Sequence, residues 1–83
     1  MSSEPSLRAR FAVVLRELRT SAGLSQEELG YRSGVHRTYV SQLERGLKSP
    51  TLDTVEAIAD ALGLRPHVIV RAAEDMSRLA SDD

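Results

Sequence analysis

Glycines at positions 23, 34, 46 and 63 divide the chain into short segments, and within each segment the apolar residues recur with a helical period. No segment alternates with period 2, so the pattern reads as all-α. Ahead of Gly23, Phe11, Val14, Leu15, Leu18 and Ala22 share one face of a helix that starts near Ser6. The run "LSQEEL" then carries its own start signal. Ser25 can cap the backbone, Glu28 stands three residues on for a capping box, and Leu24 can staple onto Leu29. Gly34 stops this second helix. A third follows from about Arg37 to Arg45, and Gly46 ends it. Thr51 is placed to cap a fourth helix, with Leu52, Val55, Ile58, Ala59 and Leu62 as its buried stripe. After Gly63, Leu64 is expected to drop into the core, and Pro66 fits the first position of a fifth helix running to about Ala80. Residues 1–5 and the terminal "SDD", 81–83, are expected to be disordered.

A chain of 83 residues makes a single domain, 6–80, with a marginal core. A domain of this size buries little more than ~60% of its unfolded surface, so a partner subunit often helps. The chain has no cysteine, which removes disulfides, thiol catalysis and zinc sites of the usual kind. The opening "MSSEPS" has no apolar run and reads as neither a signal peptide nor a membrane span, so a cytoplasmic location is expected. Charge is divided unevenly. Residues 1–50 carry eight Lys and Arg against five Glu, a net +3, and residues 51–83 carry three Arg against seven acids, a net −4. A basic half joined to an acidic half fits one anionic partner on one side.

The segment "HRTYVSQLERG", residues 36–46, carries most of the functional information. On a helical wheel Val40 and Leu43 point one way with Glu44 beside them. Thr38, Gln42 and Arg45 fall on the opposite side, Ser41 lies at the margin, and Arg37 sits at the helix start. That outer face has donors and acceptors but no carboxylate. A solvated face would more often mix in Glu and Lys pairs. Arg can bind guanine through two hydrogen bonds, Gln can bind adenine likewise, and a Thr methyl can touch thymine. Two short helices joined by a tight turn at Gly34, the second polar outside, follow the helix-turn-helix plan over residues 25–45. In that plan the first helix crosses the phosphate backbone and the second enters the major groove. Gln26 would face a phosphate beside the free N–H groups at the start of helix 2.

The stretch "LSQEELGYRSGVHRTYVSQLERGLKSPTLDTVEAIADALGL", residues 24–64, resembles the phage-repressor and Cro family of helix-turn-helix proteins, the Xre-like class. Its "HRTYVSQLERG" core is also similar to the controller proteins of restriction–modification systems. The resemblance implies a five-helix, lambda-repressor-like bundle that dimerises on an operator with two half-sites. It implies base reading by Arg37, Thr38 and Gln42, with His36 and Tyr39 close enough to add contacts. Gln26 would grip a phosphate, and Arg45 and Lys48, with Tyr39 and Ser41, would meet the DNA backbone. The chain departs from the family pattern in three places. Gly30 stands where alanine is usual, which should loosen helix 2 by up to ~1 kcal/mol. His36 and Arg65 occupy capping positions where Ser, Thr or Asp is usual.

Two structural expectations follow. Glu44, about 40° from Val40 on the inner side of helix 3, needs a partner, and Arg19 flanks the stripe of helix 1; the family's corresponding residues pair. On helix 5, Val68, Ile69, Val70, Ala72, Ala73, Met76 and Leu79 cover an arc of about 200°, roughly twice what one core contact requires. A dimerisation helix, 66–80, is therefore expected, with Leu64, Ile69, Ala72, Ala73, Met76 and Leu79 at a symmetric interface.

No catalytic constellation is visible. His36 and His67 are far apart in sequence with no cysteine near either, nothing orients His36 toward Ser41, and the adjacent Glu27 and Glu28 diverge around the helix. Tyr31 reads as partly buried between helices, with nucleotide stacking the alternative. The chain is thus expected to be a bacterial, homodimeric, sequence-specific regulator of transcription, a repressor that can act on its own promoter, bound to the nucleoid when on DNA. No enzyme activity, cofactor, metal, membrane or small-molecule effector is expected. The rival expectation is an antitoxin-type module whose acidic half holds a partner protein, though such proteins usually add a longer disordered tail.

Overall fold

The computed structural model describes residues 4–81, with side chains as far as Met76. The remaining terminal residues, in the segments expected to be disordered, lie outside it. Five helices follow in order: α1 (Leu7–Ser21), α2 (Gln26–Ser33), α3 (Arg37–Glu44), α4 (Leu52–Ala61) and α5 (Pro66–Ser81). The first four each begin at a side chain that takes up an otherwise orphaned backbone N–H. Ser6 Oγ accepts from Ala9 N at 3.1 Å, Ser25 Oγ from Glu28 N at 2.9 Å and Thr51 Oγ1 from Thr54 N at 3.1 Å. The capping box of α2 forms only in this half, because the Glu28 carboxylate accepts from Arg32 Nε at 3.0 Å instead. At the end of α2, Gly34 adopts φ 78°, the left-handed conformation that lets the chain turn sharply into α3.

Every helix contributes to one core. Phe11, Val14 and Leu15 of α1 meet Leu29 of α2, Val40 and Leu43 of α3, Val55, Ile58 and Ala59 of α4, and Ile69 and Ala73 of α5. Arg10 fastens α5 to α1, its Nη1 donating to the carbonyls of Ala73 at 3.2 Å and Glu74 at 3.4 Å. Two residues expected in apolar stripes are out of the core. Ala22 is exposed as the C-cap of α1, and Leu52 is 87% exposed. Leu52 is the first residue of α4 and lies at the edge of the stripe whose centre is Val55 and Ile58, so the core ends before reaching it.

Gly30 also differs from its expected role. A Cβ built there would stand 2.6 Å from the Val35 carbonyl oxygen and 3.2 Å from the Arg37 amide nitrogen. Glycine lets the backbone of α2 approach the start of α3, and this contact sets how the third helix is held. An alanine would gain ~1 kcal/mol of helix propensity and lose ~1–3 kcal/mol to overpacking against backbone that cannot rotate away. We expect Gly30→Ala to lower stability by roughly 1 kcal/mol net, and Gly30→Val to lower it further. A urea midpoint unchanged or raised in Gly30→Ala would show that the turn opens without cost.

Candidate nucleic-acid interface

The burial of Val40 and Leu43 orients α3 and leaves its polar residues facing outward. His36, Arg37, Thr38, Arg45 and Lys48 are exposed, and Ser41 and Gln42 are partly buried at the flanks. Tyr39 is partly buried, its ring packed against the core. His36 is the N-cap of α3, its Nδ1 accepting from Thr38 N at 3.0 Å. An accepting Nδ1 places the proton of the neutral ring on Nε2, so the imidazole keeps one donor for a second partner. The unusual cap therefore does both jobs, starting the helix and presenting a polar edge.

Beneath this face lies a buried charged cluster. Arg19 Nε donates to Glu44 Oε2 at 2.6 Å and Arg19 Nη2 to Glu44 Oε1 at 2.9 Å, a bidentate pair. The Glu44 side chain is only 2% exposed. Arg19 Nη1 also donates to the Leu24 carbonyl at 2.8 Å, tying α1 to the turn before α2. The hydrogen bonds donated to Glu44 push the Arg19 guanidinium above its ordinary range, against the opposing effect of burial, and the carboxylate's charge adds to the rise. Glu44 holds one more group: Gln26 Nε2 donates to its Oε1 at 3.0 Å. The first residue of α2 is thus locked to the last residue of α3. One N–H of the Gln26 amide is taken, and the other is left for an outside acceptor.

A second charged contact crosses between the same two helices. Arg37 Nη1 lies 3.5 Å from Glu27 Oε2, with both side chains largely exposed. Glu27, Tyr31, Val35, His36 and Arg37 together line a shallow hollow where α2 meets α3. Tyr31 is 85% exposed rather than partly buried, because α2 turns Leu29 and Gly30 inward and leaves Tyr31 on its outer side. Sequence reasoning missed both the Gln26 and Glu27 contacts; a wheel drawn for each helix alone carries no signal for either.

The residues expected at a dimer interface separate into two groups. Ile69 and Ala73 are wholly enclosed by the protomer's own helices and have no surface to offer a second subunit. Their place at the centre of the α5 arc makes them the core contact. Leu64, Ala72 and Met76 are partly buried, Val68 is 39% exposed, and Leu79 lies outside the described side chains. Among the described residues no helix is long and apolar enough to cross a membrane.

The helix-turn-helix family model matches residues 15–69, from the middle of α1 into α5. The control protein C.BamHI of Bacillus amyloliquefaciens is 40% identical over 62 residues, which cover 74% of this chain and 76% of that protein. The crystal structure of the clp gene regulator ClgR from C. glutamicum superposes with a TM-score of 0.84 at 30% identity, covering 93% of this chain and 99% of that one. The restriction-modification controller protein C.AhdI from Aeromonas hydrophila gives a TM-score of 0.72 at 43% identity, over 74% and 92% of the two chains. With α2 and α3 as the paired helices and a polar α3 face outside, the chain belongs to the Xre-like helix-turn-helix family of DNA-binding transcriptional regulators.

Proposed function

We propose that the protein is a sequence-specific transcriptional repressor that binds a pseudo-palindromic operator as a homodimer. The observation that carries this reading is the outer face of α3, which presents Arg37, Thr38 and Gln42 while the helix's one carboxylate, Glu44, is turned inward and neutralised by Arg19. In the major groove, Arg37, Thr38 and Gln42 would read base edges, with His36 adding a donor. Gln26, Tyr39, Ser41, Arg45 and Lys48 would hold the phosphate backbone on either side. Dimerisation would use the part of α5 that its own core does not cover. Val68, Ala72 and Met76 recur every fourth residue along one side, and Leu64 extends the line toward α4. A two-fold axis there would set two recognition helices about 34 Å apart, one turn of DNA. Similarity to the control protein C.BamHI and to the restriction-modification controller protein C.AhdI supports a controlling role.

Base reading and phosphate binding separate in experiment. Sites selected from a random DNA pool define the operator. Against it, Arg37→Ala should cost ~1–3 kcal/mol and relax the preference at one base pair in each half-site. Lys48→Ala should weaken operator and random DNA alike and reduce the slope of log affinity against log salt by about 0.9. Equal loss on both DNAs for Arg37→Ala would remove α3 from base reading.

A further inference from the structure

We infer that Glu27 is a specificity-determining positioning residue, which holds one end of the Arg37 guanidinium so that the other end is presented to guanine and withheld from phosphates. This rests on the reading of Arg37 as a base reader.

Glu27 occupies the first turn of α2, next to Gln26, on the edge expected to meet phosphates. A carboxylate there repels DNA. First-turn acids stabilise a helix, but Glu28 already supplies one and is engaged with Arg32 at 3.0 Å. Glu27 instead reaches across to α3, and Arg37 is its ion-pair partner at 3.5 Å. The contact uses Nη1 and leaves Nε and Nη2 free. Those two donors form a fork of the spacing that guanine O6 and N7 accept. A free arginine on non-cognate DNA swings to the nearest phosphate and adds affinity that carries no sequence information. An arginine held by Glu27 is neutralised as a pair and displaces fewer counterions. On the operator, guanine supplies two directed hydrogen bonds that the pair does not block. The penalty from Glu27 therefore falls harder on random DNA.

The test is Glu27→Gln, measured on the selected operator and on a random duplex across a salt series. Glu27 is exposed, so the variant should keep its fold. Glu28→Gln is the control for charge, since it removes the same carboxylate charge one residue away and releases Arg32 of α2 while leaving Arg37 paired. Relative to Glu28→Gln, random-DNA affinity should rise roughly three- to fivefold, with its salt slope steeper by about 0.9. Operator affinity should change by less than about twofold, so discrimination falls. In an Arg37→Ala background the same substitution should leave discrimination unchanged. The inference is overturned if Glu27→Gln raises both affinities by the same factor as Glu28→Gln does, or if its effect on discrimination persists without Arg37. If Arg37→Ala alone leaves discrimination intact, the base-reading role falls, and this inference falls with it; if only the Glu27 effect is missing, base reading stands.

Discussion

Arg19→Ala should cost about 3–5 kcal/mol of folding stability, a large fraction of what a domain of this size holds. The cost comes from the carboxylate left behind more than from the bonds lost. Glu44 is shielded from water and would keep only the Gln26 amide as a partner. The intact pair is different, because desolvating two charges offsets most of their attraction and the net stabilisation is small. Replacing both partners together, as Arg19→Leu with Glu44→Met, should therefore recover much of the stability lost in Arg19→Ala. It should not recover DNA binding. Without Glu44, the Gln26 amide is free to rotate, and affinity should stay low on operator and random DNA alike. Urea unfolding beside a binding titration separates the two effects. A loss below ~1 kcal/mol in Arg19→Ala would mean that Glu44 finds water, and the cluster would then be a surface contact in energetic terms.

Local signals were legible in the sequence, and contacts between helices were not, with the Arg19–Glu44 pair the exception. Ser25 and Thr51 could be assigned as caps because capping depends on a few adjacent residues, and the structure places both as N-caps, with Ser6, where the first helix was expected to start, as a third. Glu44 was legible for another reason. A carboxylate beside Val40 on a buried face requires a counter-charge, Arg19 stood at the edge of the neighbouring stripe, and the family resemblance implied the pairing. Gly30 was misread as a loosening of α2, since propensity scores one helix while its role is set by the Val35 carbonyl across the turn. The Glu27–Arg37 contact is hidden similarly, on helices whose wheels were drawn separately. For Leu52, periodicity gave the correct face, but nothing in a repeat says where along its length the core stops.

The arc of α5 shows the same limit and leads to the second large effect. Its width led to the expectation that a second subunit covers part of it, but did not say which residues belong to which surface. Ile69 sits at the centre against α1 and α4 and is fully enclosed, whereas Val68, one residue earlier, points about 100° away and is 39% exposed. Adjacent substitutions should therefore behave oppositely. Ile69→Asp places an unpaired carboxylate in the core and removes a buried aliphatic group, so it should unfold the domain, at a cost upward of ~4 kcal/mol. Val68→Asp, and Ala72→Glu one turn on, should keep the helical signal and melting cooperativity while shifting sedimentation from dimer to monomer. A monomer engages one half-site at a time and loses the gain from linked binding, so operator affinity should fall by ~10²-fold or more. Affinity for random DNA should fall far less. If Val68→Asp and Ala72→Glu both remain dimeric, the uncovered side of α5 is not the interface. In that case Leu64 and the α4–α5 turn would have to carry the contact alone, and a charge at Leu64 would be the substitution that separates the subunits.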